Sequence, residues 1–247
     1  MPQEQVLEVW GDLACFTRPE LKVERFSYPV ITPSAARGIY DAIYCKRTEF
    51  RWQITRIDIL AYPHYIALRR NEVKDKISIK SVQRWMEQKE EPQPLIADGT
   101  PEELGTDQKG RTQRQTMALK NVHYYLYAHV HPWPGFEHNL IALEAQFRRR
   151  ASHGKCIYQP YFGCREFPAY FQLLDIDINN KPEKSIPVNM DIGLMLYDVF
   201  DLSVPGKPLD TEINDSPYIS LFRAEIKNNV MIVPDYDSEW VLKGRSN

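Results

Sequence analysis

Between Thr116 and His131 the chain alternates: Val122, Tyr124, Leu126, Ala128 and Val130 fall on one face of a strand, and His123, Tyr125, Tyr127, His129 and His131 on the other. A face of polar aromatic rings can stack unpaired nucleobases while still hydrogen-bonding. It can equally be a half-open sheet face covered by another part of the chain. His129 and His131, two apart on one strand, could bind zinc, but no third ligand stands at a recognisable spacing. A second stretch, Gly154 to Tyr170, combines Gly154, Pro160 and Gly163 with Lys155 and Arg165 and with several aromatic rings. Backbone amides, cations and rings gathered in one loop suit a sugar–phosphate chain. The loop fits neither a Walker A motif nor a dinucleotide fingerprint.

Charge is segregated along the chain. Residues 37–56 hold Arg37, Lys46, Arg47, Arg51 and Arg56 against Asp41 and Glu49; 109–120 hold Lys109, Arg111, Arg114 and Lys120 with no acid. From 145 to 165 there are Arg148, Arg149, Arg150, Lys155 and Arg165, again with no acid, whereas 175–217 carries nine acids and three bases. The alternatives are a local basic face on the first two-thirds of the chain or solvated faces that happen to cluster. The whole 247-residue chain is near neutral, with a formal net charge of −2 and a pI near 6.3, which excludes a general polycation that coats nucleic acid by charge alone. With 43% hydrophobic and 26% charged residues and a mean hydropathy of −0.48, it is expected to fold as a soluble globular protein. The N-terminus is too polar for a secretory signal and no apolar run is long enough for a membrane span, so the expectation is a cytoplasmic protein with no membrane partner. The scattered Cys15, Cys45, Cys156 and Cys164 have no CxxC spacing and are expected to be free thiols.

These residues need elements to position them. Val6 to Trp10 is expected as an opening strand, and Thr32-Pro33 supplies an N-cap and first-turn proline for a helix through about Lys46. Arg51 to Tyr62 is expected as a strand that shifts face near Arg56 at a bulge, with a strand from about Tyr65 to Arg70 to pair with it. Residues 71–115 form a polar insertion with a short helix near Ser81 to Gln88. Thr116 to His131 is a strand, Phe136 to Ala151 a helix with the arginine triplet in its last turn, and Phe167 to Ile178 another strand. Strand, helix, strand, then strand, helix, strand is the α+β ferredoxin-like arrangement over 1–178. After a link near Lys181-Pro182, a small antiparallel β region is expected over 179–247, with strands at Gly193–Phe200, Tyr218–Ile226 and Val230–Val233.

The block Tyr28-Pro29-Val30-Ile31-Thr32-Pro33-Ser34-Ala35-Ala36-Arg37-Gly38-Ile39 to Ile43-Tyr44-Cys45-Lys46, with Gln159-Pro160-Tyr161-Phe162-Gly163-Cys164-Arg165-Glu166-Phe167, resembles one family of CRISPR-associated proteins, the fifth-numbered Cas family, subtype d, or Dvulg subtype, of type I-C systems. Gly11-Asp12, Phe16-Thr17, Leu119 to Tyr124 and Ala128-His129 extend the likeness over most of 4–178. The resemblance implies an RRM-like fold of the RAMP superfamily with a glycine-rich loop before the last strand. It implies cleavage of the precursor CRISPR RNA at its repeat hairpin without metal or other cofactor. The ribose 2′-hydroxyl attacks the adjacent phosphate and leaves a 2′,3′-cyclic phosphate. The protein then stays on the 5′ handle of the mature CRISPR RNA beside other type I-C subunits. The resemblance also allows duplex DNA as a further ligand.

Such chemistry needs a base, a cation or donor for the phosphorane, and an acid for the leaving oxygen. The family's tyrosine on the first helix falls on Tyr44, and the histidine of its Lys-His pair on His138. The lysine position holds Glu137, a departure that Lys120 or Lys155 would have to make good. Arg37, Lys46, Lys120, Arg148, Arg149, Lys155 and Arg165 are expected to hold phosphates, with His123 and Gly163 also in contact with RNA. The rival expectation, which Glu137 favours, is a non-catalytic subunit capping the 5′ handle. A third, resting on the likeness being accidental, is a cellular single-strand RNA binder.

Overall fold

The computed structural model describes residues 2–21, 23–73, 76–93, 111–175, 187–206 and 218–244. Its elements in chain order are β1 (Gln5–Ala14), β2 (Arg25–Phe26), α1 (Pro33–Ile43), β3 (Phe50–Ile59), β4 (His64–Val73), α2 (Ile79–Met86), β5 (Arg111–Pro132), α3 (Leu140–Ser152), β6 (Tyr170–Leu174), β7 (Met190–Asp198), β8 (Ser220–Lys227), β9 (Val230–Ile232) and β10 (Val241–Leu242). A short 3₁₀ turn, Glu137–Asn139, precedes α3. One compact unit holds 1–66 and 117–247, and a second spans 67–116.

In the first unit the strands pair antiparallel in the order β10-β8-β9-β3-β5-β1-β6. The alternation in β5 sets its faces: Val122, Tyr124, Leu126, Ala128 and Val130 are buried, and the five His and Tyr residues between them are half-buried. β3 follows suit through a register shift between Ile54 and Arg56, which turns Trp52 and Ile54, then Ile57 and Ile59, onto the same buried face. That face is covered by α1 and α3. Tyr40, Trp52 and Phe147 meet there, with ring centroids 4.8 Å apart for Tyr40–Trp52 and 4.6 Å for Trp52–Phe147. The Tyr40 hydroxyl reaches the carbonyls of Gln5 at 2.9 Å and Leu126 at 2.7 Å, so this buried phenol is satisfied and fixes α1 over the sheet.

Two expectations are corrected. β4 pairs with β5 and not with β3, because β5 is 22 residues long and continues beyond its apolar-alternating part. β6 is shorter than expected, starting at Tyr170; Ile178 and the link at Lys181-Pro182 lie outside the described residues, as do Lys109 and much of the acidic 175–217 stretch. The C-terminal strands do form, and β9 pairs antiparallel with β3 (Ile57 opposite Met231), so they continue the same sheet. No helix among the described residues is long and apolar enough to cross a membrane.

Candidate RNA-processing site

Tyr44 is the C-cap of α1, and its surroundings follow from how that helix ends. The last carbonyls of a helix have no intrahelical donor. Here Ile157 N–H donates to Ala42 at 2.6 Å, and Arg150 Nε donates to Ile43 at 2.6 Å. The chain then turns through 44–49. Trp133 pins that turn from the other side, its indole donating to the Arg47 carbonyl at 2.8 Å and its amide to Glu49 at 2.9 Å. Trp52 donates to the Tyr44 carbonyl at 2.9 Å, and the Tyr44 ring packs against Phe50 at 5.6 Å.

Tyr44 is 8% exposed. Burial raises its pKa above the ordinary tyrosine value, against the pull of the neighbouring Lys46 and Arg150 cations, so the phenol is protonated and is a hydrogen-bond donor. Lys46 bonds Glu49 at 2.9 Å, which raises its pKa and keeps it cationic beside the Tyr44 hydroxyl. A neutral donor flanked by two cations suits an anionic phosphate whose charge grows during reaction.

Of the other predicted residues, Lys155, Arg149 and Arg165 are exposed; Lys155 follows α3, its amide bonded to the Arg150 carbonyl at 2.9 Å. His138 is exposed on the turn that follows Trp133, so its segment stands beside 44–49, but among the described residues no hydrogen bond, ion pair or ring contact joins it to Tyr44. Glu137 accepts from the Gly135 N–H at 2.8 Å and so braces this turn. Arg148 pairs with Asp175 and reaches Gln5 Oε1 at 3.3 Å. Gly163, at φ +79, lies so close to Cys15 that a Cβ would stand 2.1 Å from its carbonyl oxygen; only glycine fits, and the loop is tied to β1 by Cys15 N–H donating to Phe162 at 3.0 Å. His123 bonds Glu8 at 2.8 Å on the opposite face of the sheet from the helices.

Two residues expected to hold phosphates stand differently. Arg37 bonds Asp41 at 2.6 Å and Asp198 at 2.7 and 3.1 Å; two carboxylates engage its guanidinium, which ties α1 to β7. Burial alone would lower its pKa, but the two carboxylates outweigh that and raise it. Lys120 cannot share a phosphate with Tyr44. It precedes Val130, the residue opposite Trp52, by ten positions on β5, about 30 Å along a strand. The possible zinc pair fares no better: Arg51 lies beside both His129 and His131, and Gln53, opposite His129, bonds Tyr197 at 2.8 Å and reaches the Pro234 carbonyl at 3.4 Å, so C-terminal residues cover this end of the face. Burial lowers the pKa of both histidines. No group of three or more His, Cys, Asp or Glu among the described residues could hold a metal ion.

Sequence reasoning passed over Arg150 as a ligand of this site. The signal was present: Leu143, Phe147 and Arg150 recur at helical spacing, which puts this arginine, unlike Arg149, on the stripe facing α1.

A family model described as CRISPR-associated protein (Cas_Cas5), Cas_Cas5d, matches residues 6–234. The chain is 40% identical over 244 residues, 96% of its length and 97% of the relative's, to the CRISPR pre-crRNA endoribonuclease Cas5d of Mannheimia succiniciproducens. To the protein of the same name from Thermus thermophilus it is 35% identical over 238 residues, covering 92% of this chain and 90% of that one. Among solved structures, a CRISPR-associated protein superposes with a TM-score of 0.60 at 19% identity, covering 97% of this chain and 96% of that one. The Streptococcus mutans protein SMU1763c, described as functionally uncharacterized, gives 0.59 at 18% identity, covering 97% of both chains. The two structural likenesses bear on the fold alone.

Proposed function

The chain belongs to the Cas5d family of CRISPR-associated proteins, and on that premise we propose that it is a precursor-CRISPR-RNA endoribonuclease that binds the repeat hairpin, cuts it without metal, and stays on the 5′ handle within a type I-C interference complex. The name carried by relatives matched over nearly the whole chain supports the activity. The strand order β6-β1-β5-β3, with α1 and α3 on one face, supports a ferredoxin-like, RAMP-type core.

The observation that carries the mechanism is the Tyr44–Lys46–Arg150 cluster. The 2′-hydroxyl attacks the adjacent phosphorus, the P–O5′ bond breaks, and the leaving 5′-oxygen takes a proton from water. Protonated Tyr44 donates to one phosphoryl oxygen as charge builds, while Lys46 and Arg150 supply the cations that Glu137 cannot. His138, on the turn pinned to Arg47 and Glu49, accepts the 2′-hydroxyl proton. Lys155, Arg149 and Arg165 line the path of the flanking phosphates.

Purified protein incubated with its cognate repeat hairpin in EDTA should release a shortened RNA, and intact RNA across salt and pH would refute the enzymatic proposal. Glu137 at the lysine position favours one rival, a non-catalytic cap on the 5′ handle. That rival predicts tight binding and no cutting in wild type, Tyr44→Phe and His138→Ala alike.

A further inference from the structure

The sheet face opposite α1 and α3 carries a second constellation that the proposed cleavage does not use. Register sets it out in two rows across β5, β1 and β6. His123 stands opposite Trp10, and Trp10 opposite Tyr170; one step along, Tyr125 stands opposite Glu8, and Glu8 opposite Gln172. Trp10 and Tyr170 stack, with centroids 6.3 Å apart and planes at 28°, and the His123 ring meets Trp10 edge-on at 6.3 Å. Both stacked rings are open, Trp10 38% and Tyr170 52% exposed. Beside them lies an open hollow of about 450 Å³ lined by Glu8, Trp10, Asp12, Asn121, His123 and Gln172 among others.

From this arrangement we infer a nucleobase site: an unpaired base of a single-stranded RNA stacks on Trp10 and Tyr170, and its amino group donates to Glu8. The ligand class follows from the chemistry. Glu8 and Asp12 would repel a phosphate, and the lining holds no lysine or arginine, so the backbone stays outside while the base enters. His123 bonds Glu8 Oε1 at 2.8 Å and holds the carboxylate in place; Oε2 has no partner among the described residues and can accept an N–H. A carboxylate accepts from the amino groups of cytosine and adenine and disfavours the two carbonyl oxygens of uracil. Gln172 beside it offers both a donor and an acceptor. Lys120, too remote to join Tyr44, lies near this end of β5 and is exposed to the flanking phosphates. The site rests on the proposal that this chain binds RNA.

Fluorescence anisotropy with labelled single-stranded A8, C8 and U8 RNA octamers tests it, using the full chain. Wild type should bind A8 and C8 more tightly than U8. Trp10→Ala should weaken A8 binding about 5- to 150-fold, the span of one lost base stack, with an unchanged salt slope because no phosphate contact is removed. Trp10→Phe, which keeps a stacking ring, should retain most of the affinity, and Glu8→Gln should narrow the preference over U8. Circular dichroism checks that each variant is folded. Unchanged A8 binding by folded Trp10→Ala, or equal wild-type binding of all three octamers, overturns the site. Hairpin cleavage measured in parallel keeps the two proposals apart. Cutting with no Trp10 effect sinks the base site alone, and Trp10-dependent octamer binding with no cutting sinks the endoribonuclease alone.

Discussion

Replacing Arg37 by methionine leaves two buried carboxylates, Asp41 and Asp198, without the guanidinium that now bonds both. Asp198 is 1% exposed and Asp41 7%, so neither can recover hydration without opening the α1–β7 contact. Removing one partner of a buried ion pair costs about 3–5 kcal/mol. For a domain of this size each kcal/mol shifts Tm by about 2–4 °C, so the variant should melt roughly 6–20 °C lower. The loss should also depend on pH. Burial already raises the Asp41 pKa, against the lowering pull of Arg37, and loss of Arg37 raises it further. A carboxyl whose folded pKa lies above its unfolded value contributes stability at low pH and loses it as pH rises through the folded value. The deficit should therefore be smaller near pH 5 than near pH 8, and Asp198→Asn in the same chain should restore part of it. Thermal melts at both pH values, with the salt dependence of hairpin binding measured below the melting range, make the check. A wild-type Tm combined with weaker binding and a salt slope reduced by about one unit would refute the structural role and return Arg37 to the phosphates.

Tyr44→Phe removes a protonated donor without disturbing the Phe50 packing, and should slow single-turnover cleavage about 100-fold while leaving hairpin affinity unchanged; because burial raises the Tyr44 pKa, the wild-type rate should show no inflection from this phenol below its ordinary titration range. Lys120→Ala should leave that rate within about twofold, since the residue stands about 30 Å along β5 from the site, and a hundredfold loss would contradict the placement. Gly163→Ala should lower Tm far more than Gly154→Ala: both glycines have positive φ, but only at Gly163 does a Cβ meet another atom, 2.1 Å from the Cys15 carbonyl oxygen. Matching melts for the two variants would show that the loop is not held against β1 as described.

Local pattern carried much of this fold. Thr32-Pro33 opens α1, with Thr32 Oγ1 accepting from Ala35 N–H at 3.2 Å, and the β5 alternation separates a buried face from an aromatic one. What was not legible depends on partners remote in sequence. Arg37 on an amphipathic helix resembles a phosphate ligand until Asp198 is placed beside it, and the β9–β3 pairing leaves no mark in either strand. Residues 111–115 are polar, so a strand there has no apolar alternation to betray it. At the candidate site, motif likeness pointed to Tyr44, whereas Arg150 is held there by bonding a main-chain carbonyl, a partner that no side-chain pattern encodes.

The near-neutral total charge stops being an objection to an RNA partner once the cations are placed: Lys46, Arg150, Lys155 and Arg149 gather around one end of α1 and α3, while Arg37 and Arg51 are largely buried in their ion pairs. The central claim is that RNA is cut at that end by its own 2′-hydroxyl. The most direct measurement is single-turnover cleavage in EDTA of the cognate repeat hairpin, side by side with the same hairpin bearing one 2′-deoxyribose at the cleaved nucleotide. The all-RNA hairpin should be cut to a 2′,3′-cyclic phosphate and the deoxy hairpin should bind equally and stay whole, whereas equal cutting of both would contradict the account.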